Sequence, residues 1–167
     1  MTNTSRALAF AGLFLSHAAL AQAPVQADAP WARATAPQQR VGGLYVTLTS
    51  PAGDTLVGAA TPAAGRVEIH EVQVQGDVMR MRELPDGLPL PAGQAVVMAP
   101  GGHHLMLMDL RGPLVAGQTV PVQLRFRNAP PLEVKATVAP VGAQAPASPA
   151  SAQVPGKADH THGGHKP

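Results

Sequence analysis

"RVEIHEVQVQGDVMRMRE", Arg66 to Glu83, consists of two alternating runs joined by a Gly-Asp pair. In the first run Val67 and Ile69 alternate with Glu68 and His70. In the second, Met79 and Met81 alternate with Arg80 and Arg82. Side chains of a strand point to opposite faces in turn, so this period of two reads as strand, turn, strand. Val67 and Ile69 then face a core, and His70 falls on the polar side or at the rim. Working outward, the same pattern recurs in "VGGLYVTLTS", "TLVGAAT", "QAVVMAP", "HHLMLMDL", "TVPVQLRFRN" and "LEVKATVAP". These runs are rich in Val, Leu and Thr and are separated by turn formers such as "PAGD", "PDG" and "PGG". "DAPWARAT" reads as an edge strand, because Pro30 has no N–H to give to a ladder. No stretch supports a long helix. Short strands at this spacing predict an all-β fold, a Greek-key β-sandwich or barrel.

Composition sets the boundaries of that domain. "MTNTSR" followed by the apolar run "ALAFAGLFLSHAALA" and an A-x-A site reads as a signal peptide over 1–21, too short for a bilayer span. The β domain is expected over 22–140. Residues 141–167, rich in Ala, Pro, Ser and Gln, lack the apolar surface to offset ordering entropy and read as a disordered tail. Export to the periplasm is expected, without stable membrane insertion. The leader site has no cysteine to acylate, since the 167 residues contain none.

Charge and cysteine count remove whole classes of function. Without the leader, 11 basic residues stand against 10 acidic ones, which is no footprint for nucleic acid or anionic lipid. Zero cysteines excludes a blue-copper electron-transfer site, which needs a thiolate. Neither G-x-S-x-G nor H-E-x-x-H occurs, so an enzyme is not expected.

Histidine and methionine are crowded. Apart from Met1, every methionine (Met79, Met81, Met98, Met106 and Met108) lies between residues 79 and 108. His70, His103 and His104 are the only histidines of the β domain. In "HHLMLMDL" the period of two puts His104, Met106 and Met108 on one face and His103, Leu105 and Leu107 on the other. Thioether sulfur is a soft, neutral donor and imidazole is intermediate, so the pair suits copper(I) better than zinc, calcium or magnesium. Met79 and Met98 read as core fillers. Trp31, Arg33 and Tyr45 read as structural, and Arg80, Arg82, Arg125 and Arg127 as solvated faces.

These residues resemble the periplasmic copper chaperone family PCu(A)C. The likeness covers about Ala27 to Val138 and is carried by "VEIHEVQVQGDVMRMRELPDGLPLPAG…VMAPGGHHLMLMDL". The family motif is His, ten residues, Met, about twenty-one residues, His-x-Met. Here ten residues separate His70 from Met81 and twenty-two separate Met81 from His104, which is followed by Met106. The metal ligands so implied are His70, Met81, His104 and Met106. His103 would match the spacing, but Leu105 follows it at the offset where Met is needed. Family members often carry a Met two positions after the first His, where this chain has Val72. Met108 or Met79 could substitute as an auxiliary sulfur. The resemblance implies a cupredoxin-like barrel or sandwich, monomeric, that carries Cu(I). Its implied recipient is the copper-A subunit of cytochrome c oxidase, alongside a Sco-type thiol protein. General copper sequestration or adhesion by an exported β domain is the alternative.

The tail ends in "HTHGGHKP". His160, His162 and His165 there suit Cu(II) capture, since nitrogen and oxygen donors favour the divalent ion. A solvated end whose histidines do little is the equal alternative.

Overall fold

The computed structural model describes residues 24–146. Ten strands follow one another: β1 (Gln26–Arg33), β2 (Val41–Thr49), β3 (Asp54–Ala60), β4 (Arg66–Gln75), β5 (Val78–Glu83), β6 (Leu88–Leu90), β7 (Ala95–Val97), β8 (His104–Met108), β9 (Thr119–Phe126) and β10 (Leu132–Ala139). No helix occurs among the described residues. The hydrogen-bonded order is β5-β4-β8-β2-β1-β10-β9-β3-β6, with β7 added beside β2. All pairings are antiparallel except β1 with β10. The sheet folds over one core in a cupredoxin-like sandwich.

That core forms because the alternation holds on strand after strand. On β9 Val120, Val122, Leu124 and Phe126 are buried while Thr119, Pro121 and Arg125 are exposed. Leu44, Leu48, Leu56, Leu105, Leu107 and Leu124 lose all contact with water. At roughly 1.5–3 kcal/mol for each fully buried aliphatic side chain, these positions carry the fold. A second, smaller cluster of Trp31, Tyr45 and Ala139 lies apart from the main core.

β1 corrects the sequence expectation. It is not an edge strand but lies between β2 and β10. Pro30 is tolerated there because the β1–β2 register shifts between Asp28 and Trp31, a bulge where no ladder N–H is needed. Ala29 adopts a positive φ of 45° within that bulge. β6, "LPL", is three residues around a proline and carries no periodic signal in the sequence.

β4 and β5 form the hairpin read from Arg66–Glu83. Gln75 pairs with Val78, leaving Gly76 and Asp77 as a two-residue loop. Gly76 has φ 62°, the left-handed value that the first position of a type II′ turn requires. Every residue of β5 is exposed, because β5 is the last strand of the sheet and neither of its faces is covered. The expected signal peptide and most of the expected tail, including His160, His162 and His165, lie outside the described residues.

Candidate metal centre

The register of β4, β8 and β2 assembles the site. His70 is paired directly with His104, and Glu68 with Met106. On the other side of β8, Met106 pairs with Gly43. On the hairpin, Met81 pairs with Val72. Paired residues share a face, and so do residues two apart on a strand. One outer face therefore carries His70, Met81, His104, Met106, Met108 and Met79. Its inner counterpart on β8 is Leu105 and Leu107 in the core.

A surface pocket of about 300 Å³ opens on this face, lined by Tyr45, Val72, Met81, His104 and Met106 among others. His70 is not part of the pocket wall. Its ring meets that of His104 edge-on, with centroids 5.7 Å apart. His103 points to the opposite face, where its Nε2 lies 3.7 Å from Glu71 Oε2. Glu71 also accepts from the Arg82 guanidinium. Met98 is buried in the core, but Met79 is not: the residue is 64% exposed. The alternation correctly pairs Met79 with Met81 on one face, but that face of the hairpin has nothing packed on it.

Each of the two facing histidines is tied down by one ring nitrogen. His104 Nδ1 lies 3.1 Å from the Gly102 carbonyl, so with that nitrogen protonated its Nε2 keeps a lone pair. His70 Nε2 lies 2.9 Å from Glu68 Oε2. Its Nδ1 is the one buried side-chain nitrogen or oxygen without a hydrogen-bond partner among the described residues. Metal-binding histidines show this arrangement, one nitrogen held by a carboxylate or carbonyl and the other free to donate. Burial pushes His104 below the ordinary histidine range, outweighing the Gly102 hydrogen bond, and charge on His70 or His103 pushes the same way. His104 is thus neutral at neutral pH, the form that ligates. The Arg66 guanidinium, 2.7 Å from Glu68 Oε1, holds the Glu68 carboxyl below the usual carboxylate range.

Two further residues shape the pocket and were not singled out as part of it from sequence. Tyr45 packs on Trp31 at 4.5 Å between ring centroids and stands 6.4 Å from the His104 ring. A Cβ at Gly43 would sit 2.5 Å from the Tyr45 hydroxyl, so glycine there is what lets the phenol lie across β2 toward Met106. Arg33 spans this aromatic pair and the chain beyond β10: its guanidinium donates to the Ala143 carbonyl at 2.7 and 3.0 Å and lies 5.8 Å from the Tyr45 ring. Glu68 could have been found from its offset, two residues before His70 on the same strand face. Gly43 and Tyr45 could not, because their place depends on how β2 aligns with β8.

Comparison with known proteins gives the same region a lineage. The family model described as "LpqE-like: Putative lipoprotein LpqE-like" matches residues 25–138. "Putative lipoprotein Lxx21020" of Leifsonia xyli subsp. xyli (strain CTCB07) is 36% identical over 104 residues, 62% of this chain. The aligned part spans 63% of that relative's own length. Among solved structures, the chain is similar to CuI-DR1885 from Deinococcus radiodurans, at 33% identity and a TM-score of 0.55 over 74% of this chain and 81% of that one. It is also similar in fold to the apo PmoF2 PCuAC domain, at 24% identity and a TM-score of 0.61 over 75% of this chain and 97% of that one.

Proposed function

The chain belongs to the LpqE-like family, and from that premise we propose that it is a copper(I) carrier of the cell envelope. His70, Met81, His104 and Met106 are its ligands. The observation that carries this reading is the pair of facing imidazoles, each anchored through one nitrogen, beside a pocket walled by two thioethers. Buried His70 Nδ1, without a partner, is a polar group whose desolvation goes unrewarded in the metal-free chain. A soft cation compensates it. The similar DR1885 structure is one of a Cu(I) form, and its 33% identity supports the same ion here.

The donor set suits carriage rather than storage. Met81 is 52% exposed and lies on the outermost strand, so one ligand can leave without opening the core. Neutral thioethers survive an oxidising compartment where cysteines would pair. The leader-like start of the sequence and the family's description as lipoproteins both support an envelope location, the periplasm in particular. The recipient we propose is the copper-A subunit of cytochrome c oxidase, with or without a Sco-type thiol protein. The histidine tail we propose as a Cu(II) collector.

Titration with Cu(I) under a competing chelator tests the reading. One tight equivalent is expected for the native chain, and Met106→Ala should weaken it at least about tenfold, or 1.4 kcal/mol. No tight equivalent, or an unchanged Met106→Ala, would falsify it. Mixing the loaded chain with an apo copper-A domain tests delivery. For the tail, removal of residues 147–167 leaves Ala143 in place for Arg33 and should lower Cu(II) uptake without changing Cu(I) affinity.

A further inference from the structure

On the face of β4 that carries His70, a second donor set adjoins the thioether pocket. Glu68 precedes His70 by two residues, and Glu83 stands directly across from His70 on β5. One donor atom from each of Glu68, His70 and Glu83 lies within 4.8 Å of the others. The His70 nitrogen on this side is Nε2, 2.9 Å from Glu68 Oε2. A carboxylate, an imidazole and a second carboxylate are hard to intermediate donors, unlike the sulfurs next door.

The charge around them favours a cation. Arg66 binds Glu68 Oε1 and Asp109 Oδ2, each at 2.7 Å, and is the one guanidinium those two carboxylates share. With Glu83, three carboxylates stand against one guanidinium. Arg82 projects to the opposite face, onto Glu71. Glu68 therefore keeps one oxygen on Arg66 and has the other facing His70, the way ligating carboxylates are held by outer hydrogen bonds.

We propose that Glu68, Glu83 and His70 Nε2 form a second metal site, selective for a divalent transition ion, with Cu(II) bound most tightly. Nitrogen and oxygen donors with two negative charges match Cu(II), which tops the affinity order of first-row divalent ions. Metal–donor distances of about 2.0–2.2 Å place donors about 2.9–4.4 Å apart, a spacing small side-chain rotations reach from the present one. A neutral imidazole has one lone pair, so His70 serves one valence at a time: Cu(II) on Nε2 puts the ring proton on Nδ1, and Cu(I) on Nδ1 leaves it on Nε2, donated to Glu68. The second half of that statement rests on the copper(I) reading above; the carboxylate site does not.

Divalent and monovalent titrations separate the two sites. The full-length chain carrying His160→Ala, His162→Ala and His165→Ala removes the tail imidazoles from the experiment. Cu(II) is then titrated by electron paramagnetic resonance, with zinc as competitor, and Cu(I) by chelator competition. Glu83→Gln is exposed and should leave the melting curve in place. It should weaken Cu(II) at least about tenfold while Cu(I) affinity stays within about twofold. Glu68→Gln, checked for folding by circular dichroism, should weaken Cu(II) as much and, because Glu68 also holds His70 Nε2, should lower Cu(I) affinity too. Met106→Ala should weaken Cu(I) and leave Cu(II) in place. Unchanged Cu(II) binding in both glutamate variants overturns the proposal, as does equal loss of Cu(I) and Cu(II) in Glu83→Gln. Cu(I) binding that ignores Met106→Ala while Cu(II) binding still needs Glu83 sinks the carrier reading and leaves this site standing.

Discussion

The two faces of β8 differ in kind although they alternate residue by residue. Leu105 and Leu107 point inward and are fully buried, while Met106 and Met108 point outward and are half-buried, with His104 sealed between Tyr45 and His70. The inner face needs only volume and apolarity; the outer face needs particular atoms at particular positions. Stability and binding are therefore written on alternate residues of one strand and should separate by mutation. Leu107→Ala is expected to have the largest effect, about 2–5 kcal/mol of unfolding free energy in urea, from lost burial plus the cavity left behind. Below its unfolding midpoint the variant should still take one equivalent of Cu(I). A stable variant with no copper binding would show that the faces are coupled.

Met106→Ala is the mirror experiment. Cu(I) affinity should fall at least about tenfold, while the unfolding midpoint moves little, because a half-buried side chain has less to lose than a sealed one. Comparing the urea curves of the two variants side by side gives the contrast directly.

Which face each residue occupies was legible from sequence, because a period of two is all it requires. That period puts His104, Met106 and Met108 together, and Leu105 and Leu107 opposite them. Whether a face is covered was not legible, since that depends on which strand ends the sheet. Met79 shows this: its partner Val74 and its neighbour Met81 are exposed too, because β5 is outermost. Pro30 shows the converse, a residue barred from regular ladders that sits mid-sheet at a bulge sequence patterns do not announce. The pairing of His70 with His104 reaches across three intervening strands, and no periodicity announces it.

Gly43 tests how far the outer face tolerates volume. A Cβ there would meet the Tyr45 hydroxyl at 2.5 Å and its Cζ at 3.0 Å, and Trp31 limits the ring's retreat. Gly43→Ala should cost about 1–3 kcal/mol as overpacking does and shift Trp31 fluorescence through the displaced Tyr45. If Gly43→Ala is silent in both, the aromatic cluster does not brace the pocket.

A smaller effect is expected far from the metal centre, at Asp54. Burial alone would raise its pKa, but backbone N–H groups of Thr55, Ala129 and Asn128, at 2.7, 2.8 and 3.1 Å, outweigh it and hold the carboxyl below its ordinary value. A carboxyl depressed in the folded state binds its proton more readily when unfolded. Its stabilisation is therefore complete above the unfolded value of about 3.9 and is lost as pH falls through the lower folded value. In urea unfolding, native chain and Asp54→Asn should differ by a constant amount at neutral pH, with the gap closing only in strong acid. A gap that closes near neutrality would point to a histidine instead. Because Asp54 lies on β3, remote from β8, copper affinity should not change.

Met79→Leu should do least, and its silence is informative. Leucine keeps the volume and removes only the sulfur. With the residue 64% exposed on a strand with no covered face, the change should stay within about 0.5 kcal/mol of unfolding free energy. Cu(I) affinity should hold within about twofold, because Met79 is two residues beyond Met81, outside the pocket wall that Met81, His104 and Met106 share. Should the chelator competition instead show a clear loss, the outer face would extend along the hairpin, and the sulfur missing at Val72 would be supplied from the opposing strand, where Met79 sits across from Val74. X-ray absorption counts the sulfur neighbours in each variant and decides between the two.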